Sequence, residues 1–334
     1  MTKRNLRICV VDTVYTLMLY FIKFGFNDDD WFIVSTGIPK EIREKLNHYF
    51  FKNTKFHFSH KSTIANLNKK NYRFNIKFLL EIVKFRCIYL LKTFNRNLEV
   101  TGHAHLKFSF PLYECENNSI LEDGLGNYSN LKESYEFRYP RFAHFFGLYF
   151  RYPKEGYGTH KNIKKVYLTK GNYPKEIADK VEVMDVRRLW DMKSDEEKNR
   201  ILEFFNISEI YNQIQEDSTI LITQSLSEDK LLPYDEEIEI YRKFVDKYPN
   251  LIIKTHPRES KDYHEIFEGI PVIDVPFPIE LLSFMGIKIS KIVTICSTVA
   301  LNFKDECEIE TYDGKTSSER INECIETIRK KMEN

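Results

Sequence analysis

Short runs of apolar and β-branched residues alternate with longer amphipathic segments along most of the chain. Apolar runs of this length, flanked by polar or turn-forming residues, favour buried strands. In the first part of the chain they are Leu6–Val11, Trp31–Ser35, Phe56–Ser59, Leu98–Thr101 and Ser119–Glu122. In the second part they are Lys165–Thr169, Thr219–Thr223, Leu251–Lys254, Val272–Val275 and Lys291–Cys296. Because strands that alternate with helical segments are typical of βαβ units, we expect parallel sheets.

The segments between these strands show the three- and four-residue spacing of apolar positions that predicts helices. The predicted helices are Val14–Phe24, Ser194–Phe205, Asp235–Lys247, Ile279–Phe284 and Ser317–Met332, and Arg73–Phe94 is compatible with a longer one. Ser194 and Glu197 match a capping box, which supports a helix start at that point. No apolar run reaches the roughly 18 residues of a membrane span, so we predict no transmembrane helix.

A domain boundary is predicted within Tyr149–Lys164, which is rich in Gly, Pro, Lys and Tyr and has no clear periodicity. We therefore expect a Rossmann-like N-terminal domain over residues 1–155, a second over 156–315 and a C-terminal helix over 316–334. In parallel α/β sheets, ligands bind beyond the carboxyl ends of the strands. A motif that carries chemistry should therefore directly follow a strand.

The formal net charge of +1 conceals two unlike parts of the chain. Residues 1–100 hold 18 Lys and Arg against 8 Asp and Glu, whereas the remainder holds 32 against 41. A basic surface favours polyanions, which are nucleic acids, phosphate-bearing ligands or anionic membranes. The six cysteines include no CxxC pair, so a zinc knuckle or a thioredoxin-type site is not supported.

Glu122-Asp123-Gly124 follows a predicted strand and is the first candidate motif. A carboxylate at a strand end beside a flexible turn is well placed to act as a general base. The alternative is an ordinary acidic turn, because Asp-Gly is a common turn dipeptide.

The segment Lys254-Thr255-His256-Pro257-Arg258 follows another predicted strand. Pro257 restricts His256 to an extended backbone. Lys254 and Arg258 are suited to anionic oxygens, and a histidine between them can donate to a phosphate or act as a general acid. The alternative is a turn with solvated charges.

Two further strand ends carry hydroxyl and amide groups. Ser297-Thr298 precedes a helical pattern, where hydroxyls and free N–H groups can bind an anion, although a plain N-cap explains the pair as well. Thr223-Gln224-Ser225 opens a loop that can reach a phosphate or can simply be polar. With the end before His256, three strand ends then present groups suited to phosphate on one sheet edge. This arrangement favours a transferase whose substrate is a nucleotide-activated group.

Together, Glu122-Asp123-Gly124, His256-Pro257 and Ser297-Thr298 resemble the three short motifs of bacterial sialyltransferases. Their contexts ILEDGLGNYS and IIKTHPRE, and the opening VVDTVYTLML, are most similar to glycosyltransferase family 52. The resemblance is scattered over nearly the whole chain. It implies an α/β fold of the GT-B type, with two Rossmann-like domains whose parallel sheets face a central cleft. It also implies an inverting, metal-independent transfer of sialic acid from CMP-sialic acid.

The resemblance assigns roles to individual residues. Asp123 matches the catalytic carboxylate, and His256 matches the residue that assists departure of CMP. Asp235, at the start of a predicted helix, is a second candidate for the base. On the donor side the implied or expected residues are Thr223, Gln224, Ser225, Lys254, Pro257, Arg258, Glu280 (for ribose), Ser297 and Thr298. Glu122, Gly124 and Thr13 are assigned to the acceptor side of the cleft.

The expected partners are CMP-sialic acid and a galactose-terminated, lipid-linked acceptor of a bacterial capsular polysaccharide or lipooligosaccharide. We expect a cytoplasmic protein in peripheral contact with an anionic membrane, a homodimer, and no cofactor, metal or nucleic acid. One alternative is a GT-B transferase that uses another CMP-sugar or CDP-glycerol. Another is a noncatalytic membrane- or nucleic-acid-binding module built on the basic part, which leaves the motifs unexplained.

Three other features are assigned no function. Asp28-Asp29-Asp30 precedes a strand rather than following one, so a solvated loop is expected. His103 and His105 lack partners at metal-ligand spacing and are interpreted as surface or cleft-wall histidines. Gly124-Leu125-Gly126 lacks the third glycine of a dinucleotide-binding fingerprint.

Overall fold

The computed structural model describes residues 4–51, 76–104, 112–113, 115–128, 158–207, 210, 214–215 and 217–333. The predicted strand Phe56–Ser59 and His105 lie outside this set. The chain forms two compact units, Met1–Met192 and Lys193–Asn334, which are called the first and the second unit below.

The first unit is built on a seven-stranded sheet in which every pairing is parallel. Its strands are β1 (Arg4–Val11), β2 (Trp31–Val34), β3 (His48–Phe50), β4 (Arg96–Gly102), β5 (Asn117–Leu121), β6 (Lys165–Leu168) and β7 (Val181–Val183). The spatial order is β3-β2-β1-β4-β5-β6-β7. In the register, Cys9 of β1 lies opposite Phe32 of β2 and Thr101 of β4. The strand order therefore reverses between β1 and β4, which is where α/β sheets of this kind bind ligands.

Helices and 3-10 turns connect these strands. They are α1 (Val14–Phe24), α2 (Lys40–Glu44), α3 (Ile76–Thr93), α4 (Val186–Asp191) and the 3-10 turns Leu125–Tyr128 and Lys175–Ile177. Helix α1 begins where the Thr13 hydroxyl accepts the Thr16 N–H at 3.2 Å, and it ends at Gly25 with φ +74°. A side-chain cap and a C-terminal glycine of positive φ are the usual helix boundaries.

The apolar strand residues of the first unit pack into one core. Its largest members are aromatic side chains that meet from the strands, from α3 and from the connecting loops: Trp31, Phe51, Phe85 and Tyr113. Phe85 lies 4.8 Å from Phe51 and 6.4 Å from Trp31 between ring centroids. This cluster fixes α3 on the sheet through one face of the helix.

The second unit contains a five-stranded, all-parallel sheet. Its strands are β8 (Thr219–Ile222), β9 (Leu251–Lys254), β10 (Val272–Ile273), β11 (Lys291–Thr294) and β12 (Glu308–Thr311), in the order β10-β9-β8-β11-β12. Its helices are α5 (Asp195–Phe204), α6 (Tyr234–Lys247), α7 (Tyr263–Ile266), α8 (Glu280–Phe284), α9 (Glu319–Glu333) and the 3-10 helix Thr298–Phe303. The order reverses between β8 and β11.

The predicted capping box at α5 is present. The Glu197 N–H donates to Ser194 Oγ at 3.2 Å, and the Ser194 N–H donates to Glu197 Oε2 at 3.0 Å. The predicted strands and helices that fall on described residues match observed elements within a few residues at their ends. No helix in the described part of the chain is long and apolar enough to cross a membrane.

The two units divide later in the chain than the boundary predicted at residues 155/156. The physical reason is strand pairing: β6 adds to β5 of the first sheet, with Ser119 opposite Lys165, and β7 then adds to β6. The strand Lys165–Leu168 is therefore the sixth strand of the first sheet.

Candidate active site

The carboxyl edge of the second sheet brings together three of the predicted motifs. Strand β8 lies between β9 and β11, and its last residue, Ile222, pairs with both Lys254 and Thr294. The chain segments that follow these three strands, starting at Thr223, Thr255 and Ile295, therefore leave the sheet side by side. This edge includes the reversal of strand order between β8 and β11, where a ligand site is expected.

Gln224 links the two strands that flank this reversal. Its side-chain Oε1 accepts the Cys296 N–H at 2.9 Å. The next residue, Ser297, donates its N–H to Thr294 Oγ1 at 3.1 Å, which fixes the turn before the 3-10 helix. Gln224 thus holds the backbone that carries Ser297 and Thr298.

The hydroxyls of Ser297 and Thr298 make no hydrogen bond within the described part of the chain. Ser297 stands before the first residue of the 3-10 helix but gives no side-chain cap. A hydroxyl without an intramolecular partner can donate to an anionic oxygen of a ligand. This is the feature that the Ser-Thr motif predicts for phosphate binding.

His256 is held by its backbone N–H and by one nitrogen of its ring. Its N–H donates to Thr223 Oγ1 at 3.0 Å and to Glu259 Oε2 at 2.8 Å. The ring Nδ1 accepts the Arg258 N–H at 3.2 Å, so the ring proton resides on Nε2. Nε2 makes no hydrogen bond with any described residue and is available to donate to a ligand.

The electrostatic environment keeps His256 neutral. Burial is the largest cause, and together with the cations Arg258 and Lys254 it lowers the pKa of His256 to about 4. An anion bound at Nε2 would stabilise the protonated ring and raise this pKa. We therefore expect the imidazole to take up a proton only when an anion is bound.

Two cations that the sequence assigns to phosphate binding have partners within the second unit. Lys254 is buried; its Nζ donates to Thr255 O at 2.8 Å and lies 4.8 Å from the centre of the Phe277 ring. Burial lowers the pKa of Lys254 to about 8. Arg258 forms a bidentate pair with Asp229, at 3.2 and 3.0 Å, so binding of a phosphate by Arg258 requires exchange of that partner.

The remaining second-unit candidates lie around this edge. Ser225 is buried and donates to Asp229 Oδ2 at 3.1 Å. Asp235 lies in the first turn of α6, is exposed, and has no hydrogen bond or ion pair with a described residue. Pro257 is exposed beside His256. Glu280 begins α8 and accepts from Asn302 Nδ2 at 3.0 Å.

In the first unit, three strand ends converge on a buried histidine that we interpreted from the sequence as a surface or cleft-wall residue. His103 follows β4, and its side chain is fully buried. Its Nδ1 accepts the Asp12 N–H at 3.0 Å, while Nε2 lies 2.8 Å from Thr16 Oγ1 and 3.1 Å from Asp123 Oδ1. The interpretation as a surface residue is wrong, because the β4 strand end carries His103 inward.

Two opposing effects act on His103. Burial disfavours its charged form, but the neighbouring Asp123 carboxylate prevails and raises the pKa of His103. Since the Asp12 amide occupies Nδ1, Nε2 is the ring atom that carries a proton towards Asp123. The histidine is thus oriented to hold the Asp123 carboxylate, whose side chain is 25% exposed.

A turn built by Asn127 presents Asp123. Asn127 Oδ1 accepts the N–H groups of Asp123 and Gly124, at 2.8 and 3.3 Å. Gly124 adopts φ +143°, a conformation that favours glycine. The acidic motif therefore is a defined turn that leaves one carboxylate partly open to solvent.

Two residues assigned to the acceptor side have structural partners. Glu122 is buried, and its Oε2 accepts from the Thr169 N–H at 2.6 Å, the Thr169 hydroxyl at 2.7 Å and the Tyr128 hydroxyl at 2.5 Å. It ties the end of β5 to the end of β6. Thr13 caps α1, as described above.

The sequence predicts a solvated loop for the acidic run before β2, but only part of this run is exposed. Asp28 and Asp29 are exposed, but Asp30 is buried. Its Oδ2 accepts the Tyr20 hydroxyl at 2.6 Å and lies 3.7 Å from Arg7. Among the described residues, no group of three His, Cys, Asp or Glu side chains is arranged to hold a metal ion.

The chain is similar to a known protein family and to known proteins. Residues 36–317 match the model of glycosyltransferase family 52. An uncharacterized protein of Haemophilus influenzae is 36% identical over 220 residues, which are 65% of this chain and 68% of that protein.

Two solved structures are similar to the whole chain. An α/β-galactoside α-2,3-sialyltransferase of Photobacterium phosphoreum gives a TM-score of 0.56 at 14% identity, with 99% of this chain and 96% of that chain covered. A sialyltransferase of Photobacterium damsela gives a TM-score of 0.52 at 12% identity, with 98% and 79% covered. These likenesses show the fold, which is α/β with parallel sheets and of the GT-B type.

Proposed function

Because this chain belongs to glycosyltransferase family 52, it is a glycosyltransferase, and we propose that it moves sialic acid from CMP-sialic acid to a sugar hydroxyl. The observation that carries the proposal is the carboxyl edge of the second sheet. There His256 offers a free Nε2–H beside the β9 end, and Ser297 and Thr298 offer free hydroxyls beside the β11 end. Groups of this kind suit the phosphate of a nucleotide donor.

The proposed reaction is a single displacement with inversion and without a metal ion. The acceptor oxygen attacks the anomeric carbon of sialic acid, and the bond from that carbon to the CMP phosphate oxygen breaks. The electron pair stays on the phosphate, where His256, Ser297 and Thr298 donate hydrogen bonds. An anion at Nε2 raises the proton affinity of the His256 ring, so Nδ1 can take up a proton from solvent in exchange for its hydrogen bond from the Arg258 N–H, and Nε2 can pass its own proton to departing CMP.

The acceptor hydroxyl must lose its proton to a base. We assign Asp123 as this base, because its carboxylate is partly exposed and lies 3.1 Å from His103 Nε2, while Asn127 holds its backbone N–H. Asp235 is the second candidate, since it is exposed and has no partner among the described residues. Each carboxylate can accept a proton, and substitution of each in turn decides between them.

The proposed acceptor is the terminal galactose of a bacterial surface glycan, lipid-linked at the cytoplasmic face of the membrane. Support for membrane contact comes from α3, where Val83, Leu90, Leu91 and the following Phe94 are exposed. Lys84, Arg86 and Lys92 accompany them on the same helix. Exposed apolar side chains with neighbouring cations are typical of surfaces that lie on anionic lipid. The homodimer stays a prediction.

The proposed function is tested by incubation of the protein with CMP-sialic acid and galactose-terminated oligosaccharides, with and without EDTA. We expect sialylated product and CMP in equal amounts, insensitive to EDTA. The variants Asp123→Ala, Asp235→Ala and His256→Ala are assayed in parallel. Loss of turnover in Asp123→Ala with activity retained in Asp235→Ala confirms Asp123 as the base, and the reverse pattern moves the role to Asp235.

Absence of both turnover and binding with CMP-sialic acid would refute the proposal. Turnover with another CMP-sugar or with CDP-glycerol alone would assign the alternative donor.

A further inference from the structure

Lys261 is a buried cation that lies among three carboxylates of the second unit. Its side chain is 2% exposed, and its Nζ lies 2.7 Å from Glu228 Oε2, 3.0 Å from Glu237 Oε2 and 3.4 Å from Glu259 Oε1. Burial works against its charged form, but the carboxylates prevail and raise the pKa of Lys261. The three partners come from different elements: the loop after β8, helix α6 and the loop after β9.

One of these partners, Glu259, holds the His256 backbone. Its Oε2 accepts the His256 N–H at 2.8 Å and the Thr223 hydroxyl, while its Oε1 accepts the Tyr263 hydroxyl at 2.6 Å. The Glu259 side chain is 2% exposed, so these bonds replace water at a buried carboxylate. The position of His256 at the end of β9 therefore depends on where Glu259 lies.

Another partner, Glu237, holds the start of helix α6. Its Oε2 accepts the Ser227 N–H at 3.0 Å, and its Oε1 accepts the Leu226 N–H at 3.3 Å. Glu237 is fully buried and lies two residues after Asp235 in the first turn of α6. The placement of Asp235 relative to the loop after β8 therefore depends on Glu237.

We propose that Lys261 is a positioning residue that ties the segment bearing His256 to the helix bearing Asp235, through Glu259 and Glu237. The inference rests on the proposed function. Without the cation, carboxylates would remain buried close together with no compensating charge, and such an arrangement is strongly unfavourable. The two segments would then shift apart or take up protons, and His256 would no longer lie where the departing phosphate needs it.

The first test compares wild-type protein with Lys261→Met. We expect kcat for sialyl transfer to fall on the order of 100-fold, because small displacements of a reacting group cost that much. The Kd for CMP should rise far less than kcat falls, because Ser297 and Thr298 lie beyond β11, outside the segments that Lys261 ties together, and can still donate to the phosphate. Unchanged kcat in Lys261→Met would overturn the proposal.

A second variant separates positioning from simple loss of stability. In Lys261→Met/Glu228→Gln one of the uncompensated charges is removed, so part of the lost thermal stability should return. The link between Glu237 and Glu259 is still absent, so kcat should stay low. Recovery of kcat together with stability would show that Lys261 acts only as a counter-charge and would overturn the proposal.

Lys291→Met is the matched control. Lys291 also faces two carboxylates, Glu308 at 2.7 Å and Glu310 at 3.8 Å, but at the amino ends of β11 and β12. The kcat of Lys291→Met should equal that of wild type. A fall in kcat equal to that of Lys261→Met would overturn the proposal. Wild-type protein that neither transfers sialic acid nor binds CMP would instead refute the proposed function and this inference with it.

Discussion

The His256 ring is neutral at pH 7, because burial and the nearby Arg258 and Lys254 lower its pKa to about 4. In the unfolded chain a histidine titrates near about 6.5. Below that pH the unfolded chain binds a proton that the folded protein does not, so stability falls as the pH drops towards 4. The difference amounts to at most about 3 kcal/mol.

Urea unfolding at pH 7.5 and pH 4.5 measures this effect, with His256→Gln as the comparison. We expect the wild-type protein to lose more stability between the two pH values than the variant does. An identical loss in both proteins would contradict the neutral, buried state of the ring.

Under the proposed function, we expect the same ring to make CMP binding depend on pH. A phosphate anion at Nε2 raises the pKa of His256, so binding takes up a proton and tightens as the pH falls from 7 towards 5. Calorimetry in two buffers of different ionisation enthalpy counts the protons taken up. The nucleotide's own titration is common to wild type and His256→Gln, so the excess uptake in wild type belongs to the ring. No excess would place the phosphate elsewhere.

Two glycines of the first unit form a matched pair for a test of backbone constraint. A Cβ on Gly102, at φ +105°, would lie 2.0 Å from Val10 O, which accepts the His103 N–H. A Cβ on Gly124, at φ +143°, meets no atom within 4 Å. Gly124→Ala should therefore cost about 1–3 kcal/mol of backbone strain, and Gly102→Ala distinctly more. Denaturant unfolding of both variants checks this, and equal losses would contradict it.

The sequence pattern predicts which side chains follow strands, but it does not predict which residues these side chains contact. His256, Ser297 and Asp123 all follow strands that the apolar pattern reveals. His103 also follows a strand, but its carboxylate partner, Asp123, lies 20 positions away in sequence. Partners so distant are brought together only by pairing of β4 with β5, which the sequence pattern does not specify.

At the scale of elements, the helix boundaries carry their own stabilising contacts. Thr13 caps α1 by accepting the Thr16 N–H, so Thr13→Ala should reduce the free energy of unfolding by about 1 kcal/mol. Thr13→Ser keeps the hydroxyl and should unfold as wild type does. If Thr13 acts only as a cap, the KM for the acceptor is unchanged in Thr13→Ser. A raised KM in Thr13→Ser would show that its methyl group also contacts the acceptor.

Buried strands of mostly apolar residues are predictable from the sequence, whereas the edge strands β7 and β12 are not. β1, β8, β9 and β11 are buried over most of their length, so their apolar runs stand out. β7 and β12 have exposed or half-buried residues and mix charge with apolar positions. β7 affects where the first unit ends, because together with β6 it extends the first sheet beyond residue 155.

For the whole molecule, the division of charge gives the proposed membrane contact an electrostatic component. The first 100 residues carry the excess of Lys and Arg. Helix α3 and the residue after it add exposed apolar side chains, with Leu91 80% and Phe94 83% exposed. Each basic residue near an anionic surface contributes about 1 kcal/mol, and salt weakens that contribution over a screening length of about 10 Å at 0.1 M. Binding to anionic vesicles should therefore fall with added salt.

The contribution of α3 is isolated by the variant Leu90→Ser/Leu91→Ser/Phe94→Ser. Because these side chains are exposed, the variant should retain wild-type thermal stability but bind anionic vesicles more weakly in a flotation assay. Met192→Ser, which removes another exposed apolar side chain of the same unit, should bind as wild type does. Equal binding of all three proteins would contradict the contact. The triple variant could instead change the sedimentation coefficient from that of a dimer to that of a monomer without affecting vesicle binding. That result would show that the exposed face of α3 joins two copies of the chain. The basic residues alone would then account for the lipid affinity.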